Sequence, residues 1–164
     1  MYSGAVSGVV RHPSGEAMTT RPNWDEYFIG LAFEASKRAS CPRRSVGAVL
    51  TLKNVVVGTG YNGSRPGEPH CTDAGCLMVD GHCKRTTHAE VNAVLSFTSL
   101  DCRGVDWKQS RIYVTDMPCE KCLRFCAFHQ IPEIIFAREY RVEYAQSVAN
   151  SLGIRLRTVG YYVP

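Results

Sequence analysis

No stretch of this 164-residue chain approaches about eighteen consecutive apolar residues, the length at which a helix begins to span a bilayer. A membrane span is therefore not expected. The N-terminus has no charged-then-apolar leader pattern, so export is not expected either, and a reducing cytoplasm is the expected setting. Lys and Arg are not gathered into the dense stripe of a nucleic-acid binder. The 19 basic and 15 acidic residues leave a net charge of +4, a mildly basic balance that suits an anionic small molecule. Internal repeats and low-complexity segments are missing as well. Apolar residues are plentiful at 45%, enough for one domain with a full-sized core. The chain also has 8 cysteines, which in a reducing compartment are metal ligands or buried thiols before they are disulfides.

Two of those cysteines stand in the most informative pattern of the chain. His88-Ala89-Glu90 is followed, after 27 intervening residues, by Pro118-Cys119-Glu120-Lys121-Cys122. A structural zinc is normally closed by four protein ligands, whereas a catalytic one keeps a position open for water. His88 supplies an imidazole nitrogen, and the C-x-x-C spacing lets the thiolates of Cys119 and Cys122 reach one ion from a single turn. Glu90, two residues after the histidine at a helix start, is placed to act as general acid/base and not as a fourth ligand. Two plainer readings compete: a structural site finished by a distant fourth residue, and a redox pair at the C-x-x-C. The position of Glu90, the proline before Cys119 and the strand pattern between the motifs favour the hydrolytic site.

The elements around the motifs follow from spacing. Residues Met1 to Arg21, rich in Gly, Ser, Thr and Val without a period, read as a poorly ordered arm or an oligomer contact before one domain over residues 22–164. Asn23 with Glu26 makes an N-terminal cap, and Phe28, Leu31, Ala32 and Ala35 recur at helical spacing. Val46 to Leu52 and Val55 to Tyr61 read as a hairpin turning at Lys53-Asn54. A polar, cysteine-bearing loop is expected from Asn62 to Thr87, then a helix from His88 to about Ser99. Arg111 to Thr115 is a strand, Cys119 to near Gln130 a helix, Ile134 to Ala137 a strand, Val142 to Leu152 a helix and Ile154 to Val159 a last strand. The fold expected is a three-layer α/β/α sandwich on a five-stranded mixed sheet whose first two strands are antiparallel.

At these residues the chain resembles the zinc-dependent cytidine deaminase superfamily, in which H-x-E opens one helix and P-C-x-x-C the next. Trp24-Asp25-Glu26-Tyr27-Phe28, Val46-Gly47-Ala48-Val49, Gly60-Tyr61-Asn62-Gly63, Gly81-His82-Cys83-Lys84-Arg85 and Thr87-His88-Ala89-Glu90-Val91-Asn92-Ala93 are similar to its deoxycytidylate deaminase branch. The resemblance implies hydrolysis of dCMP to dUMP and ammonia. An open zinc position supplies an activated water; Glu90 would take its proton, pass it to the pyrimidine N3 and protonate the departing amino group. By the same resemblance, backbone amides near Ala89 and Glu90 hold the base carbonyl, and Asn62 bonds the sugar 3'-hydroxyl, although an Asn-Gly pair after a strand is also an ordinary turn. Tyr140 matches a position near the nucleotide. The monophosphate needs cations, for which Lys37, Arg43, Arg44, Arg138 and Arg141 are candidates, Arg43 and Arg44 foremost.

The cysteines before His88 form a second set. Cys41, Cys71, Cys76 and Cys83, with His70 and His82 as substitutes, flank one loop that has few apolar side chains of its own and could enclose a second, structural zinc. Members of the resembling family often carry one. Cys102 and Cys126 read as ordinary buried or half-buried thiols. The resemblance further implies a homo-oligomer, a hexamer in many relatives, with activation by dCTP and magnesium and inhibition by dTTP. Other readings stay open: a deaminase of a free base, nucleoside or modified nucleotide, a deaminase of tRNA or single-stranded DNA, and a non-catalytic zinc module.

Overall fold

The computed structural model describes residues 21–65, 67–79, 82–99, 102–139 and 142–160. All but Arg21 of the expected N-terminal arm lies outside them. In chain order the elements are α1 (Trp24–Ser36), β1 (Gly47–Leu52), β2 (Val55–Tyr61), β3 (Gly63–Ser64), α2 (Cys71–Ala74), β4 (Met78–Val79), β5 (His82–Cys83), β6 (Thr86–Thr87), α3 (Ala89–Thr98), β7 (Ser110–Asp116), α4 (Glu120–Phe128), β8 (Glu133–Arg138), α5 (Val142–Ser151) and β9 (Arg155–Thr158). The main sheet runs β2-β1-β7-β8-β9. β1 is antiparallel to both β2 and β7, while β7, β8 and β9 are parallel, which gives the expected five-stranded mixed sheet. The loop expected over 62–87 is more ordered than its composition implies. It carries two small antiparallel pairs, β3 with β6 and β4 with β5.

Local chemistry explains the ends of these elements. Asn23 Oδ1 accepts from the Glu26 amide at 3.0 Å, and the Asn23 amide donates to Glu26 Oε2 at 2.8 Å, a reciprocal cap that starts α1. Lys53 and Asn54 both take positive φ, 51° and 62°, as a two-residue turn matched to strand twist requires. Alternation along the strands then divides the core. Val49, Tyr113 and Ile135 face α1, against Phe28, Ile29, Ala32 and Phe33. Their neighbours Ala48, Leu50, Ile112, Val114, Ile134 and Phe136 face the other side, where α3, α4 and α5 bring Ala93, Val94, Leu123, Cys126, Ala145 and Ala149. One helix on one face and three on the other complete the sandwich.

Helix α3 sits unusually low on the sheet. A Cβ added to Gly60 would lie 2.3 Å from the carbonyl oxygen of Ala89 and 2.3 Å from the Ala93 nitrogen, and one at Gly58 would lie 2.2 Å from the Ala93 oxygen. These are backbone atoms that cannot step aside, so only glycine admits the helix at this height. Asn92 Nδ2 then donates to the Tyr61 carbonyl at 2.8 Å, fastening the first turns of α3 to the end of β2.

Charge is organised at both ends of the parallel strands. At the start of β8, buried Glu133 is paired in register with Arg111 and Arg155. It accepts from Arg111 Nε at 2.7 Å and Arg157 Nε at 2.8 Å, so its burial is compensated. Arg157 also donates to Asp25 Oδ2 at 2.6 Å, and the Tyr113 hydroxyl donates to Asp25 Oδ1 at 3.0 Å, which ties α1 to the sheet. Burial pushes against the Asp25 carboxylate, but the hydrogen bonds from Arg157 and Tyr113 outweigh it and its pKa is lowered. Burial, reinforced by Asp25, pushes the Tyr113 phenol up to about 12.

Two outcomes follow from this packing. Gly60→Ala lifts α3 off the sheet; the expected cost is about 1–3 kcal/mol of unfolding free energy, with a loss of activity, read by urea denaturation and assay. A carboxyl whose folded-state pKa is depressed stabilises the fold above its unfolded value and stops doing so as pH falls through the folded value. Asp25→Asn is therefore expected to be less stable than wild type at pH 7, and the gap should narrow below about pH 4; urea midpoints across that range check it.

Candidate metal centre

His88 and Cys119 are the N-cap residues of α3 and α4, and neither side chain makes the usual capping hydrogen bond. Where Ser, Thr, Asp or Asn would normally satisfy the first amides, each helix instead presents a ligand atom from its positive end, which favours thiolate. Cys122 stands in the first turn of α4. His88 Nδ1 lies 3.5 Å from Cys119 Sγ and 3.3 Å from Cys122 Sγ, and the two sulfurs are 3.6 Å apart. Bonds of about 2.0–2.3 Å in a tetrahedron give ligand–ligand edges of roughly 3.5–3.8 Å. The three atoms therefore fit one face of a zinc site. Cys122 is buried, Cys119 half-buried and His88 exposed, so the face opens toward solvent at the histidine.

The three ligands hold each other's protons. The hydrogen bond with Cys122, opposed by burial and aided by His88, lowers the Cys119 thiol to about 3. Cys122 is pushed well up by that thiolate and by burial, and the hydrogen bond to Cys119 raises His88. A divalent cation takes the place of such protons when it binds. Glu90 lies beneath, 3% exposed. Burial raises its pKa, against the opposing pull of His88, its own backbone amide and the Cys122 thiol. A carboxyl beside a metal face, poised to hold or release a proton, is equipped for proton transfer.

A profile of the family described as the cytidine and deoxycytidylate deaminase zinc-binding region matches residues 22–138, a range that includes His88, Glu90, Cys119 and Cys122. The chain belongs to that family. It is 38% identical over 140 residues to ComE operon protein 2 of Bacillus subtilis, a match that covers 85% of this chain and 72% of that protein. It is 35% identical over 131 residues to the deoxycytidylate deaminase of Mycobacterium phage D29, covering 73% of this chain and 98% of the phage protein. The fold matches the dCMP deaminase of cyanophage S-TIM5, solved in complex with dCMP and dUMP, with a TM-score of 0.71 and 24% identity over 85% of this chain and 99% of the other.

The other expected site residues of this deaminase-family chain are distributed unevenly. Cys71, Cys76 and Cys83 gather with their sulfurs within 4.8 Å of one another. Cys71 Sγ is 3.5 Å from both Cys83 Sγ and Thr86 Oγ1, and a hydrogen bond from Thr86 lowers the Cys83 thiol to about 6. Cys41, in the connection from α1 to β1, does not join that group, and His70 Nδ1 is 3.0 Å from Ser40 Oγ. The side chain of His82 lies outside the described set, as do Tyr140 and Arg141. Ala89 is buried at the head of α3, next to Gly60. Asn62 is buried too; its Nδ2 donates to the Arg44 carbonyl at 2.7 Å and its Oδ1 accepts from the Val46 amide at 2.8 Å. Its side chain thus holds the chain that enters β1. Cys126 is a fully buried thiol and Cys102 a half-buried one, as expected.

The cations separate as well. Lys37 is exposed and pairs with Glu34 at 2.7 Å, and Arg43 Nη1 donates to Met78 Sδ at 3.4 Å. Arg44 and Arg138 instead converge on the two oxygens of Asp116, Arg138 Nη2 at 2.6 Å from Oδ2. Asp116 does not figure among the residues expected from sequence. The signal was available: an acidic residue closing the β-forming run Ile112-Tyr113-Val114-Thr115, three positions before Cys119.

Cys119→Ala is expected to bind one zinc ion fewer per chain than wild type while Glu90→Gln keeps the wild-type content, as measured by elemental analysis of the dialysed proteins.

Proposed function

We propose that the chain catalyses the zinc-dependent hydrolytic deamination of dCMP to dUMP and ammonia, a hydrolase acting on a carbon–nitrogen bond of a cyclic amidine. The observation that carries this reading is the buried Glu90 carboxyl beside the His88, Cys119 and Cys122 face. Relatives named deoxycytidylate deaminase at 30–35% identity support the choice of nucleotide. His88, Cys119 and Cys122 would hold zinc at that face, and the ion would supply an activated water as nucleophile. Glu90 accepts the proton of that water and delivers it to N3 of the pyrimidine. After the water oxygen adds at C4, Glu90 carries the remaining proton of that oxygen to the amino group; the C4–N bond breaks, ammonia leaves and the added oxygen becomes the uracil carbonyl. The amides that open α3 at Ala89 and Glu90 are suited to hold the base carbonyl, and Arg44 brings positive charge for the monophosphate.

The second group of sulfurs belongs to this reading as a structural zinc site held by Cys71, Cys76 and Cys83 with one further donor from Cys41, His70 or His82. Binding free energy of that kind, about 10 kcal/mol or more, would order a segment poor in apolar side chains. A cytoplasmic homo-oligomer, hexameric and governed by dCTP with magnesium and by dTTP, completes the proposal, with Asn62 and Tyr140 on the sugar side of the nucleotide. No helix among the described residues is long and apolar enough to cross a membrane.

Ammonia release from dCMP, CMP, deoxycytidine and a tRNA hairpin, each with and without dCTP, tests the assignment. Turnover of dCMP above the others is expected, and preference for the hairpin would replace the reading with a nucleic-acid one. Glu90→Gln should lose at least roughly a hundredfold in kcat with zinc retained; a normal rate would remove Glu90 from the chemistry.

A further inference from the structure

The starts of the parallel strands enclose a cavity that the deamination chemistry does not use. It has a volume of about 260 Å³, and Lys108, Ser110, Arg111, Pro132, Glu133 and Arg155 are among its lining residues. Ser110 and Arg111 open β7, Glu133 opens β8 and Arg155 opens β9, whereas Cys119 follows the other end of β7. From Arg111 to Asp116 the strand advances five residues, about 16 Å. The cavity and the metal face therefore belong to opposite ends of the sheet and share no residue.

Its charge is unbalanced. Both oxygens of Glu133 are taken, Oε2 by Arg111 Nε at 2.7 Å and Oε1 by Arg157 Nε at 2.8 Å. Arg155 reaches Oε1 only at 3.6 Å, too far for a hydrogen bond, and its side chain is 75% exposed. The Arg111 side chain is 44% exposed. Asp106 accepts from the Lys108 amide at 3.2 Å and from Gln109 Nε2 at 2.7 Å, and the Lys53 amide donates to the Gln109 carbonyl at 3.3 Å, so these groups stand at the same end. Five cations, Lys53, Lys108, Arg111, Arg155 and Arg157, thus face three carboxylates, Asp25, Asp106 and Glu133, which leaves two positive charges in excess. Arg111 and Arg155 flank β8 in register, about 10 Å apart across two strand spacings. Pro132 has no amide to offer, so recognition here falls to side chains. Guanidiniums on both rims suit an anion with several oxygens, each plane donating in a fork. The volume lies below the roughly 300–1,000 Å³ of a drug-sized pocket, so the occupant is small.

We propose that this cavity is a binding site for a small polyvalent oxyanion of the phosphate class, with Arg111, Arg155 and Lys108 as its cations and inorganic pyrophosphate as the size that meets both arginines. Glu133 and Asp25 hold Arg111 and Arg157 in place beforehand, and Arg155 is the cation left to turn onto the ligand. The bound anion joins the starts of β7 and β9 across β8 and stabilises the fold by mass action. The site is independent of the reaction at the metal face.

The test is calorimetric titration of the zinc-loaded protein with sodium pyrophosphate and with sodium phosphate, against sodium chloride at matched ionic strength. Thermal midpoints and zinc content are measured alongside. Wild type is expected to bind pyrophosphate saturably with a Kd below about 1 mM, phosphate more weakly and chloride not at all, with a rise in midpoint that follows occupancy. Lys108→Gln with Arg155→Gln should raise the Kd for pyrophosphate by about tenfold or more and remove the rise in midpoint, while Arg138→Gln, at the other sheet end, should leave both unchanged. Arg155→Lys, which keeps the charge and loses the fork, should fall between wild type and the double variant. A wild-type titration that does not saturate, an unchanged Kd in the double variant, or a loss confined to Arg138→Gln would overturn the inference. Should the double variant fail to fold, Arg155→Gln, at a mostly exposed side chain, carries the same comparison alone.

Discussion

The close seating of α3 on β2 is the constraint from which the metal centre follows. Two glycines, Gly58 and Gly60, let helix backbone rest against strand backbone at distances no side chain would tolerate. The height of α3 fixes where its first residue can point, and that residue carries His88 and Glu90 with it. The helix could not be lowered by any stronger attraction, because the limit is steric. Absence of a side chain, and not the presence of one, thus decides the location of the chemistry.

The second requirement is that α4 arrive at the same sheet end. It does so because β7 runs antiparallel to β1 and delivers Pro118 and Cys119 beside the end of β2 and the start of α3. Two helix starts then face one point, with His88 and Cys119 where a capping side chain would ordinarily stand. The amides left uncapped are a local loss for each helix. The gain is a concentrated positive field that suits thiolates and the carbonyl and phosphate groups of a nucleotide.

Charged groups inside the sheet obey one rule with two uses. Glu133 at the start of β8 and Asp116 at the end of β7 are both buried carboxylates, and both are matched across the parallel ladder by arginine. Unpaired, either would carry a large desolvation penalty. At the end away from the metal face the pairs fasten α1 through Asp25 and Arg157. At the other end Asp116 takes Arg44 and Arg138, whose side chains stay half-exposed.

Periodicity, caps and turn residues along the chain were sufficient to place the five main strands and the long helices, because those signals act over a few residues. The H-x-E and P-C-x-x-C spacings were sufficient to foresee that His88, Cys119 and Cys122 gather at one point, because C-x-x-C sulfurs meet within one turn and a helix start aims its first residues predictably. Contacts across the sheet were decided only in three dimensions. Cys71, Cys76 and Cys83 gathered while Cys41 did not, since short strand pairs fold the segment in a way its polar composition does not encode. Arg44 and Arg138 were picked from five interchangeable cations by a carboxylate 72 and 22 residues away from them in sequence, and Asn62 was turned onto the backbone of Arg44 and Val46. Strand register brings such partners together, and register is a property of the whole sheet, settled by the packing of both its faces.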